Sequence, residues 1–153
     1  MDLQLRRTNI EEAGVLLNIQ KEAFRDDLLR YGNFSSSPAT ETWRMLAHRI
    51  RFSNHYTIFA DGWIAGGVDI MKITEHHYRL FRIFLGTAFQ NKGLGEKVMM
   101  LAEGKFPDAV MWSLNTPQDN FRNRYFYEKL GYRVVGASKI NDSLSLLEYE
   151  KIL

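Results

Sequence analysis

From Arg82 the chain runs through an apolar, strand-like segment (Arg82-Ile83-Phe84-Leu85-Gly86-Thr87-Ala88-Phe89) into a short polar turn, Gln90-Asn91-Lys92-Gly93-Leu94-Gly95. A helix-like run from Glu96 to Ala102 follows the turn. The first backbone N–H groups of a helix have no partner inside it, and they carry partial positive charge. Glycines let a ligand approach such a backbone closely. These features describe a seat for a phosphate or pyrophosphate at about Asn91 to Glu96. Lys92 adds a positive charge beside it, or is simply solvated. Two common phosphate motifs do not fit. A P-loop requires Gly-Lys-Ser/Thr, and none follows the turn. A dinucleotide fingerprint has a third glycine where Val98 stands, and it opens a repeated βαβ unit rather than following a run of strands.

The elements that must hold this turn can be read along the chain. Leu3 to Arg7 alternates as a strand. Thr8 with Glu11, and Asn9 with Glu12, are overlapping capping-box signals for a helix running to about Asp27, with Val15, Leu16, Ile19, Ala23 and Phe24 at helical spacing. Leu28 to Ser37 reads as a loop carrying aromatic residues. Ser37-Pro38 predicts a second helix start, with Trp43, Leu46, Ala47 and Ile50 buried and Arg44, His48, Arg49 and Arg51 on its solvated face. Tyr56–Ala60, Trp63–Thr74 and Tyr78–Gly86 are strands joined by tight turns at Asp61-Gly62 and Glu75-His76-His77, an antiparallel meander. The Gly66-Gly67 pair marks a bulge. A helix over about Leu94–Lys105 leads to a strand at Ala109–Asn115, which the intervening helix makes a parallel neighbour of Tyr78–Gly86. Pro117–Leu130 is a helix stopped by Gly131. Tyr132–Gly136 and Leu144–Lys151 form a last hairpin around Asn141-Asp142-Ser143. The expected fold is α/β, one mixed sheet with helices on its faces (β-α-α-β-β-β-α-β-α-β-β), as a single domain over residues 1–153.

Composition narrows the function classes. The chain has 153 residues, 45% hydrophobic and 25% charged, which suits one folded domain rather than a disordered chain. It has no cysteine, so disulfides, a thiol nucleophile and cysteine metal sites are excluded. The lack of cysteine, of a signal-like start and of any apolar run near the length of a membrane span gives a cytoplasmic expectation, with no membrane partner. A formal charge of +2 is too small to argue for nucleic acid; a nucleic-acid module built on Arg44, Arg49 and Arg51 is poorly supported. His76 and His77 are adjacent on a strand-like segment and point to opposite faces, so no metal site is expected.

A second constellation lies downstream: Asn120-Phe121-Arg122-Asn123-Arg124-Tyr125-Phe126-Tyr127-Glu128-Lys129-Leu130-Gly131-Tyr132. Gln90-x-x-Gly93-x-Gly95 after a strand resembles the acetyl-CoA motif of the GCN5-related N-acetyltransferase (GNAT) family. The later segment is similar to that family's Asn…Tyr-Glu-Lys-Leu-Gly-Phe/Tyr stretch, and the element order agrees with it. The resemblance covers nearly the whole chain. It implies acetyl-CoA as co-substrate, with pyrophosphate at the turn (Gln90, Asn91, Lys92, Gly93, Leu94, Gly95, Glu96). It also implies that the peptide-like arm lies along Ile83, Phe84 and Leu85 as a false strand would. A backbone N–H near Leu85 would polarise the thioester carbonyl. Tyr127 takes the family's general-acid position, against the alternative that it packs beside Tyr125 and Phe126. Asn120 matches the family's asparagine, against the alternative of a helix cap.

The sequence departs from the family pattern at Thr87, where proline is common, and at Asn123, where alanine is common on a face that packs on the cofactor. It also departs at Arg79, where some members carry a glutamate base. Asp69, Glu75 and His77, or solvent, are the remaining base candidates. The expected activity is acetyl transfer to a primary amine, on a small molecule or a peptide, by direct attack; the alternative is a non-catalytic acyl-CoA-binding module. The acceptor is expected near the first two helices and the last hairpin, with Phe24, Tyr31, Phe34, Trp43 and Trp112 as lining candidates. Edge strands of that hairpin are candidates for pairing in a homodimer.

Overall fold

In a computed structural model describing residues 1–153, the chain begins with β1 (Leu3–Arg7), α1 (Ala13–Ala23), α2 (Arg25–Tyr31) and α3 (Trp43–Phe52). It continues through β2 (Asn54–Ala60), β3 (Trp63–Thr74), β4 (His77–Leu85) and α4 (Leu94–Gly104), then β5 (Met111–Pro117), α5 (Phe121–Lys129), β6 (Arg133–Asn141) and β7 (Leu144–Ile152). The strands form one seven-stranded sheet in the order β1-β2-β3-β4-β5-β7-β6. The meander is antiparallel, and its first hairpin turns on Asp61 (φ 49°) and Gly62 (φ 84°), the left-handed pair that a two-residue hairpin requires. The only parallel pair is β4 with β5, joined through α4 as a crossover. No helix is long and apolar enough to cross a membrane.

Each face of the sheet has its own helices. Val98, Met99 and Ala102 of α4 and Tyr127 of α5 join Ile58, Val68, Ile70, Tyr78, Leu80, Trp112, Leu114 and Tyr149 in the larger core. On the other face Ala13 and Leu16 of α1 and Leu46 and Ile50 of α3 pack with Phe84. The α1–α3 layer thus covers the β2–β4 half of the second face. β1 and β6 are the two edge strands, and β6 is exposed along almost its whole length.

Five helices replace the four expected. The first expected helix opens as a 3-10 turn at Ile10–Glu12, closed by the Asn9/Glu12 capping box, while Thr8 bonds His55 instead. It then breaks at Phe24 (φ −104°, ψ 5°), whose ring meets Phe84 edge-on with centroids 6.3 Å apart. The segment expected to be a loop from Leu28 stays helical to Tyr31 and stops on left-handed Gly32 (φ 61°). Ser37 caps only a short 3-10 turn; Thr42 caps α3, because Glu41 is extended between them. Trp43, expected to be buried, is 49% exposed at the start of α3. Arg49, expected on the solvated face, is instead drawn inward by two carboxylates.

Candidate active site

The site is built around a fault in β4. Asp69 pairs with Arg82 and Ile70 with Leu80, so Phe81 has no partner on β3 and forms a bulge. The extra residue reverses the alternation of side chains. Tyr78 and Leu80 face the larger core before it; Ile83 and Leu85 face that core after it, and Phe84 faces α1 and α3. On the other side of β4, pairing with β5 ends at Arg79–Ser113. From there β5 continues with β7 alone, and the two parallel strands splay.

Backbone directions beyond the splay follow from two contacts. The Gly86 N–H donates to the Ala65 carbonyl at 2.7 Å, so alternate residues face β3 at Phe84 and away from it at Ile83 and Leu85. Gln90 Nε2 donates to the Leu85 carbonyl at 2.8 Å from that open side. The Gln90 side chain thus ties the turn to the end of β4. The pairing with β3 is unusually close: a Cβ on Gly66 would lie 2.0 Å from the Phe84 carbonyl oxygen. The bulge expected at Gly66-Gly67 falls beside that pair, on Ala65, which is skipped between the Ile58–Gly66 and Phe59–Ile64 partners.

The turn itself is strained in a useful way. Asn91 (φ 59°) and Gly93 (φ 71°) both adopt the left-handed backbone. The N–H groups of Asn91, Lys92 and Gly93 donate to nothing within the protein. Those of Leu94, Gly95 and Glu96 open α4 without a side-chain cap. A Cβ on Gly93 would meet open space, whereas one on Gly95 would lie 3.2 Å from the Phe126 ring. Gly95 therefore lets α5 pack on α4, and Gly93 keeps the approach clear. Leu94 is buried, so only its backbone faces the turn. Glu96 lies 3.7 Å from Lys129, and Arg122 reaches across to donate to Asn91 Oδ1.

α5 supplies the opposite wall. Asn120 Oδ1 accepts the Asn123 N–H at 3.0 Å, so its oxygen is occupied as a helix cap. The Asn123 side chain donates to Thr116 Oγ1 at 3.2 Å. Tyr127 is 7% exposed, and burial pushes its phenol up to about 12, so it holds its proton throughout the neutral range. Asn123 and Tyr127 line a cavity of about 350 Å³ with Leu80–Ile83 of β4, Leu114–Pro117 of β5 and, from the far face of the sheet, Phe24, Asp27 and Tyr31. The cavity therefore joins the two faces where β4 and β5 part.

Behind β4 on the α1–α3 face lies a buried ionic cluster. Glu41 (6% exposed) accepts from Arg49, from Arg82 at 2.9 Å and from Gln20 at 3.1 Å. Asp69 (1% exposed) accepts from Ser53 at 2.6 Å and from Arg49 at 3.3 Å. Burial raises the Asp69 carboxyl, although Ser53 and the two arginines oppose this.

The comparisons with known proteins agree with this geometry. The sequence model of the acetyltransferase (GNAT) family matches residues 16–132, most of the chain. The chain belongs to this family. Protein YrkN of Bacillus subtilis (strain 168) is 30% identical over 82 residues; the match spans 52% of this chain and 44% of YrkN, less than half of that relative. Among solved structures, the PaiA N-acetyltransferase of Thermoplasma acidophilum in complex with coenzyme A is 20% identical, with a TM-score of 0.76 over 100% of both chains. A GCN5-related N-acetyltransferase of Rhodopseudomonas palustris is 14% identical, with a TM-score of 0.80 over 100% of this chain and 97% of that one. These structures share the GNAT fold with this chain.

Set against the GNAT motifs, Ile83, Asn123 and Tyr127 line the cavity at the splay, Leu85 and Gln90–Glu96 form the strand end and turn beyond it, and Asn120 caps α5. Phe84 does not: its side chain joins α1 and α3, and its carbonyl points at Gly66. Arg79 is held by Glu148 of β7, with Nη2–Oε1 at 3.0 Å. None of the three base candidates faces the cavity. Asp69 is locked into the buried cluster, Glu75 is exposed beside Lys72, and His77 bonds Ser113 Oγ at 2.9 Å. His76 bonds the Asp108 carbonyl at 3.0 Å. Of the acceptor-lining residues expected, Phe24 and Tyr31 reach the cavity, Phe34 and Trp43 are exposed, and Trp112 is core. The bulge at Phe81 and the carboxylate of Asp27 were not anticipated. The bulge left a signal in the phase of the apolar residues, at Tyr78 and Leu80 and then at Ile83 and Leu85. Asp27 left none, since it reads as an ordinary helical acid.

Proposed function

We propose that this chain is an acetyl-CoA-dependent N-acetyltransferase that passes an acetyl group to a primary amine by direct attack. One observation carries the reading: the unsatisfied N–H groups from Asn91 to Glu96 continue directly from an open strand edge at Ile83 and Leu85. A ligand with a pyrophosphate at one end and a peptide-like arm at the other satisfies both. The turn would hold the pyrophosphate through its amides and the dipole of α4, with Lys92 adding charge. The Ile83 backbone and the Leu85 N–H, the Leu85 carbonyl being taken by Gln90, would hold the arm as an added strand holds its neighbour. An N–H on that edge, at Ile83 or Leu85, would stabilise the oxyanion that forms as the amine attacks. Tyr127, kept protonated by burial, would give its proton to the departing sulfur. Asn123 borders the same cavity, and Asn120 contributes by fixing the start of α5.

The test is acetyl-CoA binding by calorimetry together with thiol release across a panel of primary amines. The proposal expects micromolar binding and amine-dependent release. Amine-independent release alone would contradict it. One observation favours a second reading, a non-catalytic acyl-CoA-binding module: Arg79 stands where a glutamate base is found in some relatives, and its charge is neutralised by Glu148. Tight binding without release by any amine would select that reading.

A further inference from the structure

Three charged side chains line the cavity that joins the faces of the sheet: Asp27, Arg79 and Arg82. Two of them are neutralised, Arg79 by Glu148 and Arg82 by Glu41. Asp27 is not. The cation beside it on α2, Arg30, pairs with Asp119 at 2.9 Å, and Tyr31 Oη donates to the same Asp119 at 2.7 Å. Asp26 and Asp27 are both acids of the first turn of α2, but Asp26 is exposed whereas Asp27 is half-buried against the cavity. Burial raises the Asp27 carboxyl, Arg30 lowers it, and the acids Asp26 and Asp119 raise it further. Arg79 and Arg82 line the same cavity, Arg79 bound to Glu148 and Arg82 to Glu41, which it shares with Arg49.

A half-buried carboxylate without a cation is unfavourable unless something arrives to pair with it. The surroundings say what that is. Phe24, Pro117, Ile140, Leu144 and Leu146 give the cavity an apolar wall, and Tyr31, Asn33, Ser36 and Ser37 add lining that is polar but uncharged. One free carboxylate beside an apolar wall matches one ammonium on an apolar body. It does not match a polycation, which would need further carboxylates and would meet two arginines.

We propose that Asp27 receives the ammonium of the acceptor and takes a proton from it, and that the acceptor is a monoamine with an apolar body. This rests on the acetyltransferase reading above. The step balances as follows. Asp27 accepts one proton and leaves a neutral amine. The nitrogen lone pair forms the C–N bond at the thioester carbon, and the C–S bond breaks with its electrons on sulfur. The nitrogen loses its second proton as the amide forms, sulfur gains one by way of Tyr127, and Asp27 returns the other to solvent.

The experiment compares the wild type with Asp27→Asn and Asp27→Glu, using 2-phenylethylamine and spermidine as acceptors. Asp27→Asn should lower kcat/KM for 2-phenylethylamine about 100-fold at neutral pH and remove the acidic limb of its pH profile. Acetyl-CoA affinity should stay within about twofold, and Asp27→Glu should restore part of the rate. Affinity of the CoA-bound protein for 2-phenylethylamine should fall about tenfold or more in Asp27→Asn, as when one partner of a charge pair is removed. The wild type should prefer 2-phenylethylamine to spermidine. An unchanged limb with kcat/KM within about threefold would overturn the role of Asp27, and a preference for spermidine would overturn the acceptor class. Absence of thiol release with every amine would strike the acetyltransferase reading itself. The amine-affinity comparison would then decide on Asp27 by itself, with equal or absent binding in wild type and Asp27→Asn overturning it.

Discussion

On one side of β4 the protein has satisfied its charges; on the other it has left backbone donors open. The cluster of Glu41, Arg49, Asp69 and Arg82 is buried under α1 and α3, and both Glu41 oxygens and both Asp69 oxygens accept hydrogen bonds. Beyond the end of the same strand, successive N–H groups from Asn91 to Glu96 have no internal partner, and the edge at Ile83 and Leu85 lacks a neighbouring strand. Buried polar groups are normally paired, and breaking such a pair is costly. The closed cluster is therefore a device for stability and for holding Arg82 beside the bulge at Phe81. The open edge and turn are arranged for something that binds. The two regions should respond to different perturbations, and that difference can be broken or sharpened experimentally.

The largest effect should come from Glu41→Ala. It leaves Arg49 and Arg82 buried without their shared carboxylate and should cost about 3–5 kcal/mol in urea unfolding. A loss below about 1 kcal/mol would mean that the cluster is not holding this face together. Tyr127→Phe should do the reverse. It should lower kcat about 100-fold while the unfolding midpoint and acetyl-CoA affinity hardly move, because the phenol hydroxyl is not needed for packing. Unchanged turnover across the pH range would remove Tyr127 from the chemistry.

The closed side also makes a pH prediction. Burial, followed by the charges of Arg49 and Arg82, pushes His55 down to about 3. An unfolded imidazole titrates near about 6.5. Its folded value is depressed, so its contribution is complete above the unfolded value and is lost as pH falls toward the folded one. Stability should decline across that window with a slope of up to about 1.4 kcal/mol per pH unit. The raised Asp69 carboxyl pulls the other way at the acidic end, since the folded protein takes up that proton first. His55→Gln should flatten the decline in a urea series at several pH values; an equal decline would place the titration elsewhere. Gly93→Ala should have only a modest effect on stability. Left-handed backbone costs an alanine about 1 kcal/mol, and the new Cβ meets no protein atom within 4 Å. Acetyl-CoA affinity should nevertheless fall by about tenfold or more, a loss of roughly 1.4 kcal/mol. Equal affinity would move the pyrophosphate away from this turn.

The open side was far more legible in the sequence than the closed one. The turn, its glycines and the flanking strand and helix are contiguous, and local rules were enough to find them. The β4–β5 parallel pair followed from the helix between them. The ionic cluster joins residues 41, 49, 69 and 82, which only the tertiary fold brings together, so Arg49 read as a solvated surface residue. The break at Phe24 and the continuation of α2 to Tyr31 have the same origin. Phe24 turns its ring to Phe84, sixty residues away, and Tyr31 is held by Asp119 and by Asn141, whose side chain donates to its carbonyl at 2.9 Å. Asp27 became visible as a site only when its neighbours' partners were known.

The most direct test of the central claim is backbone amide hydrogen exchange, residue by residue, with and without acetyl-CoA. Exchange should slow at Ile83, Leu85 and Asn91 to Glu96, and stay unchanged around Glu41, Arg49 and Asp69. Protection confined to the α1–α3 side, or none at the turn and open edge despite binding, would contradict it.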